Sequence, residues 1–358
     1  MQALDKSVLN GYKAEPMPHE MNEEELFQKL ANEYLKAVVA AKDLGTIKIE
    51  PRAKIVGDWM KEGDLGFVYG ARGSGKTWLV DFLAAGVSSG DAPADTWEFH
   101  GSHPVLIVDG EMPYDDFKER LQSFGVNDKL HTLHHEVIFH RNGESLNLTG
   151  PRAQRVVTHI CDAKNIKLLI LDNLSCLFNG MKENDNDAWE AVLNWLLELR
   201  RKRIAVLIVH HAGRNGQMRG ASRREDAAFW VIKVEEIQKR TRDEVGARFG
   251  TEFEKHRNHS NPEWGREWAF LMTGSELTIK CEELTFDAKV LRKIQDGLTS
   301  ASDIAIELGV TKGTVSKAAT RLLSQKMIDK DGRGQYHPRG HMREHGNQKA
   351  TNCVSKIS

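Results

Sequence analysis

One octapeptide limits what this chain can fold into: Gly70-Ala71-Arg72-Gly73-Ser74-Gly75-Lys76-Thr77. It fits the pattern G-x-x-x-x-G-K-[ST], which has meaning only between a strand and a helix. Both neighbours are present. Leu65-Gly66-Phe67-Val68-Tyr69 reads as a buried strand, and the run from Trp78 to Ala85 reads as a helix. Glycines allow the backbone to wrap a phosphate group, and amides at a helix N-terminus point at negative charge. The loop, with Trp78 behind it, is therefore the expected nucleotide-binding element. Lys76 is expected on the β- and γ-phosphates and the Thr77 hydroxyl on Mg²⁺, so ATP and Mg²⁺ are the expected ligands.

The rest of the chain supplies the sheet that such a loop requires. Val105–Asp109, Leu168–Asp172, Ala205–Val209 and Trp230–Val234 are further apolar strand candidates. Helical patterns separate them at Tyr114–Phe124, Gly150–Lys164 and Asp187–Lys202. Uninterrupted apolar strands alternating with helices predict an α/β fold with a parallel sheet covered on both faces, whose ligands sit beyond the strand carboxyl ends. The pattern then changes. Ala247–Glu254, Glu267–Thr273 and Glu276–Lys280 read as antiparallel strands, with a boundary near Glu282–Asp287. Four regions are expected: a polar extension at 1–50 with one amphipathic helix within Glu23–Lys42, a nucleotide-binding core at 51–282, a small helical module at 287–338 and a disordered tail at 339–358.

Three of the strands end in groups that carry chemistry. Asp172 closes Leu168–Asp172, about 95 residues after the loop, on a strand expected to lie beside it; a carboxylate there supports Mg²⁺ opposite Thr77. Asn173 follows it, not glutamate, so a catalytic base has to come from elsewhere. Val108-Asp109-Gly110-Glu111-Met112-Pro113 offers Glu111, just past its strand, to polarise an attacking water. No other acidic residue reads as so placed. Val209-His210-His211 ends another strand. Adjacent strand residues point to opposite faces, which argues against joint metal ligation and leaves His211 as the contact to the γ-phosphate or the water. The stretch 213–224 then carries Arg214, Arg219, Arg223 and Arg224 with no acidic residue, which suits phosphate contacts to a nucleic-acid strand.

Together these residues resemble the RecA-fold hexameric helicases, both the DnaB-like replicative helicases and the plasmid RepA-like helicases of AAA_25 type, over roughly residues 50–280. Glu111-Met112-Pro113 is similar to the Glu-Met-Pro of DnaB-like proteins, whose glutamate is the base. Val209-His210-His211-Ala212 is similar to the His-His stretch of RepA-like proteins. Arg219-Gly220-Ala221-Ser222, followed by Asp226-Ala227, resembles the Arg-Gly-Ser-Ser loop and Asp-Ala of both groups. Lys255-His256-Arg257-Asn258 resembles their Lys-x-Arg-Asn. The resemblance implies that Lys255 and Arg257 act in trans on the ATP of a neighbouring subunit, that the protein is a homo-oligomer, a hexamer, and that single-stranded DNA binds the core. It also implies a DNA helicase or translocase of a plasmid, phage or integrated element, acting in DNA replication. The N-terminal extension is expected to be too short for the primase-binding domain of DnaB-like proteins, which favours the RepA-like group. A DNA-binding regulatory ATPase that does not unwind, and a recombinase-like filament, are the alternatives.

The last module resembles winged helix-turn-helix domains, with a helix at Ala288–Gly297, a helix then a turn over Ser302–Val310, a helix at Thr311–Leu323 and a hairpin over Met327–His337. Lys312, Lys317 and Arg321 are the candidate contacts to duplex DNA. Overall charge does not mark a partner, because the formal net charge is −1 over 358 residues. Cys161, Cys176, Cys281 and Cys353 show no C-x-x-C spacing, which argues against zinc and disulfides. The N-terminus has no apolar leader pattern and no run of about 18 apolar residues occurs. The expected setting is cytoplasmic, without a membrane partner.

Overall fold

The computed structural model describes residues 22–93, 96–181, 186–213, 226–237, 245–258, 265–283 and 285–339. The chain divides into two compact units, Met1–Pro51 and Arg52–Ser358. In the first, helix α1 spans Glu23–Ala37. Asn22 accepts from the Glu25 amide while the Glu25 carboxylate accepts from the Asn22 amide, a reciprocal cap that starts the helix. Glu23, Glu24 and Glu25 sit at the positive end of the helix dipole. A 3₁₀ turn follows at Ala41–Thr46.

The second unit is built on a nine-stranded sheet. After a short hairpin, β1 (Lys54–Val56) and β2 (Met60–Lys61), its strands are β3 (Leu65–Gly70), β4 (Val105–Asp109), β5 (Leu130–His134), β6 (Leu168–Asp172), β7 (Ala205–His211), β8 (Trp230–Glu236), β9 (Gly246–His256), β10 (Arg266–Thr273) and β11 (Glu276–Glu283). Their order across the sheet is β11-β10-β9-β8-β3-β7-β6-β4-β5. The stretch from β8 to β5 is parallel throughout, and β9, β10 and β11 extend it antiparallel. Six strands were not all foreseen: β5, with His-Thr-Leu-His after its first leucine, lacks an apolar run. One expectation is corrected. Asp172 does not lie on a strand beside the loop strand, because β7 is inserted between β3 and β6.

Alternation along the strands splits the core in two. Val68, Ile107 and Ile170 pack on the face covered by α2 (Lys76–Ser89) and a group of aromatic rings that includes Trp59, Trp97, Trp230 and Trp268. Phe67, Tyr69, Val108 and Leu171 pack on the other face, under α5 (Pro151–Ala163) and α7 (Asn186–Arg201). Between these lie α3 (Tyr114–Ser123), α4 (His135–Asn142) and the short α6 (Leu174–Leu177). Gly66 shows how tight the first face is. A Cβ there would lie 2.2 Å from the indole carbons of Trp230, which is fully buried. Gly66→Ala is therefore expected to lower stability by about 1–3 kcal/mol through overpacking, read as a lower urea midpoint at an unchanged slope.

The C-terminal residues form α8 (Phe286–Gln295), α9 (Ala301–Glu307), α10 (Lys312–Ser324) and an antiparallel pair, β12 (Ile328–Lys330) and β13 (Tyr336–Pro338). Ile304, Val315 and Leu322 are buried in a core of their own, with Leu308, Val310 and Leu323 packed against it. Thr311 caps α10 by accepting from the Thr314 amide.

Candidate nucleotide site

The octapeptide loop opens where β3 ends. Gly70 is the last residue of β3, Ala71, Arg72 and Gly73 are exposed, and α2 begins at Lys76. Gly75 has to be glycine for two reasons: its φ is +98°, and a Cβ would strike the Phe249 ring of β9 at 2.2 Å. The Lys76 ammonium crosses the mouth of the loop, donating to the carbonyls of Gly70 (3.1 Å) and Ala71 (2.6 Å). Burial pushes its pKa down, against the pull of Asp172 and Glu111.

A cavity of about 580 Å³ lies over this loop, within the usual size of a small-molecule site. Arg72 to Trp78 line one side, Glu111 and Asp172 the floor and Ile237, Ala247 and Arg248 the far wall. The residues present suit a nucleoside triphosphate with its cation. Ser74 is buried in the loop with no hydrogen-bond partner for its hydroxyl, and Thr77 and Asp172 offer the hard oxygen donors that Mg²⁺ takes. The Asp172 carboxyl is pushed up to about 8, first by burial and then by Asp109 and Asp81 nearby.

Glu111 stands on the turn after β4. Its carboxylate accepts a hydrogen bond from the Asn173 side-chain amide, and His211 Nε2 lies 3.6 Å away and 3.2 Å from the same amide nitrogen. The neighbouring His211, together with Lys76 and Arg72, holds the Glu111 pKa below its ordinary value despite partial burial. An ionised carboxylate aimed at the cavity beside a buried ammonium can accept a proton from a water there. His210 points the other way and is buried. Two other carboxylates, Asp116 and Glu236, also line the cavity, which corrects the expectation that Glu111 stands alone.

Sequence reasoning missed several side chains here. Asn173 bridges Glu111 and His211. Arg120 of α3 pairs with Asp81 at 2.8 Å, lies 5.9 Å from the Trp78 ring centroid and touches Met112. Asp81 is pushed up to about 6 by burial, opposed by Arg120. The sequence carried a signal only for Asn173, a polar residue directly after the strand-end aspartate, without saying what it would contact.

Lys255 and Arg257 are not at this cavity. Lys255 pairs with Val231 near the start of β8, and the Arg257 amide donates to the Phe229 carbonyl just before it. That is the amino end of β3, whose length of about 16 Å separates it from Gly70. The Arg257 guanidinium donates to the Asp226 carbonyl at 2.6 Å and sits 5.9 Å from the Phe229 ring centroid, where Arg52 and Arg200 also approach at 4.8 and 4.6 Å. Asn258 anchors the turn by donating to the Trp59 carbonyl and to buried Asp64. Arg214, Arg219, Arg223 and Arg224 lie outside the described residues.

A second cavity of about 850 Å³ shares Arg72, Glu111 and His211 with the first and is walled by Arg292 and Asp296 of the C-terminal module. Arg292 pairs with Glu235 of β8 at 2.7 Å, and Glu235 also holds Lys233 at 2.6 Å. On α10, Lys312 and Lys317 are exposed. Arg321 is exposed too, but its guanidinium grips the Asp287 carboxylate through Nε at 2.7 Å and a second nitrogen. It therefore faces outward, as expected, and also ties α10 to α8.

The AAA domain family AAA_25 matches residues 31–217. No curated protein sequence matches the chain. Among solved structures, a KaiC-like protein from the hyperthermophilic archaeon Pyrococcus horikoshii is similar, with 16% identity and a TM-score of 0.44 over 64% of this chain and 99% of that one. The flagellar accessory protein FlaH from Methanocaldococcus jannaschii is also similar, with 12% identity and a TM-score of 0.43 over 61% of this chain and 90% of that one. Among the described residues no helix is long and apolar enough to cross a membrane.

Proposed function

Because this chain belongs to the AAA_25 family of AAA domains, a family of RecA-like P-loop ATPases, we propose that it is an ATP-driven motor on DNA that works as a ring of identical subunits. The single observation that carries this reading is the division of the site. Lys76, Glu111, Asp172 and His211 converge on one cavity, while Lys255 and Arg257 stand at the other end of the sheet. A catalytic group about 16 Å from its own P-loop can serve only a neighbour's. Bound MgATP would supply the phosphoanhydride to be cleaved and the cation that neutralises its oxygens.

Each residue then has a task. The loop amides and Lys76 bind the phosphates, while Thr77 and Asp172 hold the cation. Glu111 accepts the proton of the attacking water. His211, joined to Glu111 through Asn173, reports the state of the site to the segment that follows β7. That segment carries the four arginines proposed for single-stranded DNA. A hexameric helicase of a mobile element, acting in replication, is the form of motor that the helicase-like motifs favour.

The second reading, a DNA-binding regulator whose ATP cycle switches assembly, is favoured by one contact. The C-terminal module, which we read as a winged helix-turn-helix, exposes Lys312 and Lys317 on α10 and is joined to the nucleotide end of the sheet through Arg292 and Glu235. ATP hydrolysis with and without single-stranded DNA, native mass and strand displacement separate the two. The motor predicts stimulated hydrolysis, a closed oligomer and ATP-dependent unwinding, all abolished in Lys76→Ala. Sequence-specific duplex binding without unwinding would favour the regulator, and hydrolysis that survives Lys76→Ala would remove the site itself.

A further inference from the structure

The turn that carries Glu111 is held from behind by groups that neither the motif nor the proposed reaction uses. Asp109, the last residue of β4, is 1% exposed. Its Oδ1 accepts from the amides of Glu111 (3.1 Å) and Met112 (3.0 Å). His134, the last residue of β5, is 2% exposed and places Nε2 3.5 Å from the same oxygen. His134 Nδ1 accepts from the Glu136 amide at 3.2 Å as the cap of α4. A neutral ring that accepts at Nδ1 carries its proton on Nε2, the nitrogen on the Asp109 side, though at 3.5 Å the two close no hydrogen bond. His135 adds a bond between its Nε2 and the Met112 carbonyl at 3.0 Å. The Gly110 amide donates to the Asp172 carbonyl at 2.8 Å. Every backbone group from Gly110 to Met112 in these bonds is thus fixed by β4, β6 or the β5–α4 junction.

Asp109, His134 and His135 lie close enough to suggest a metal site, with one ligand atom of each within 4.8 Å of the others. The hydrogen bonds speak against it. A metal on His134 Nε2 would force the ring proton onto Nδ1, where the Glu136 N–H already points. Stability alone does not explain the arrangement either, because a buried carboxylate is costly and an apolar side chain would serve a strand end better.

We propose that Asp109 is a positioning residue: oriented by His134 and assisted by His135, it fixes the Gly110–Pro113 turn and so sets where the Glu111 carboxylate stands. The proposal rests on the reading of Glu111 as the base. Misplacing a reacting group by about an ångström costs up to 10²-fold in rate, without a matching loss in binding. In this role Asp109 acts through Glu111, so the rate effect of its loss has to vanish when Glu111 cannot act.

The test is a double-mutant cycle on single-turnover ATP hydrolysis. Asp109→Ala is expected to lower the rate about tenfold or more with KM for ATP within about twofold, and Asp109→Asn, whose carbonyl can still accept both amides, is expected to recover most of it. In a Glu111→Gln background, Asp109→Ala should change the rate by less than about twofold. If Asp109→Ala costs the same factor in both backgrounds, or raises KM in step with the rate loss, the positioning role is overturned. If Glu111→Gln itself turns over at the wild-type rate, the base assignment fails and the proposal falls with it, a result distinct from the first. Should Asp109→Ala not fold, the same cycle with His135→Ala, rescued by His135→Gln, decides.

Discussion

Glu111→Gln is expected to bind ATP as tightly as the wild type and to hydrolyse it about 10²–10⁴-fold more slowly, the range that a lost general base accounts for. The substitution is close to isosteric. Its carbonyl can still accept from Asn173, so the Asn173–His211 link survives and the loss isolates the charge. Because His211, Lys76 and Arg72 hold the Glu111 carboxyl below the usual carboxylate range, it stays ionised as pH falls from neutral, and any acid limb it contributes lies on the acid side of that range. Rapid-quench hydrolysis beside equilibrium binding of a fluorescent ATP analogue checks both halves. Wild-type turnover would transfer the role to Asp116 or Glu236, the other carboxylates on the cavity. Weaker binding with unchanged turnover would make Glu111 a ligand-holding residue instead.

The parts of this molecule that were legible in the sequence are those set by local chemistry. Val105–Asp109 and Leu168–Asp172 read as strands because both sheet faces are covered, so no polar residue interrupts them. The three antiparallel strands after β8 and the helix α10 were also legible. β5 did not read because it is an edge strand, half-buried at Leu130, His131 and Leu133 and exposed at Thr132, and so tolerates polar residues. Strand order was not legible at all. Nothing local in β6 or β7 says which of them lies beside β3, since parallel strands are joined by crossovers of any span.

The same boundary runs through the site. Lys76 and Thr77 were assignable because one contiguous loop defines them. Glu111 was assignable because it follows a strand end. Asn173 and Arg120 were not, because each takes its meaning from a partner on another element. Asn173 meets Glu111 across 62 residues of sequence, and Arg120 meets Asp81 across 39. The outward face of Arg321 was legible, but its pair with Asp287, 34 residues earlier, was not.

Arg257→Ala is expected to bind ATP but lose roughly 10³-fold or more of its turnover, the scale of a missing arginine finger. The loss should be reversible by mixing. In a ring with head-to-tail contacts, each site joins the P-loop of one subunit to the 255–258 turn of the next. Lys76→Ala subunits keep an intact Arg257, and Arg257→Ala subunits keep an intact P-loop. An equimolar mixture of the two inactive proteins should therefore recover about a quarter of wild-type activity, the fraction of contacts that pair a good loop with a good finger under random assembly. The geometry makes this a strong demand. Arg257 is held against Asp226 and Phe229 at the amino end of β3, with Asn258 locked to Trp59 and Asp64, so it cannot swing to its own P-loop without dismantling that end of the sheet. Native mass and melting temperature should match the wild type, because the Asp226 contact is exposed and contributes little. Mixtures no more active than either parent, with assembly intact, would make Arg257 a strut for the segment before β8, and the site would then be complete within one chain.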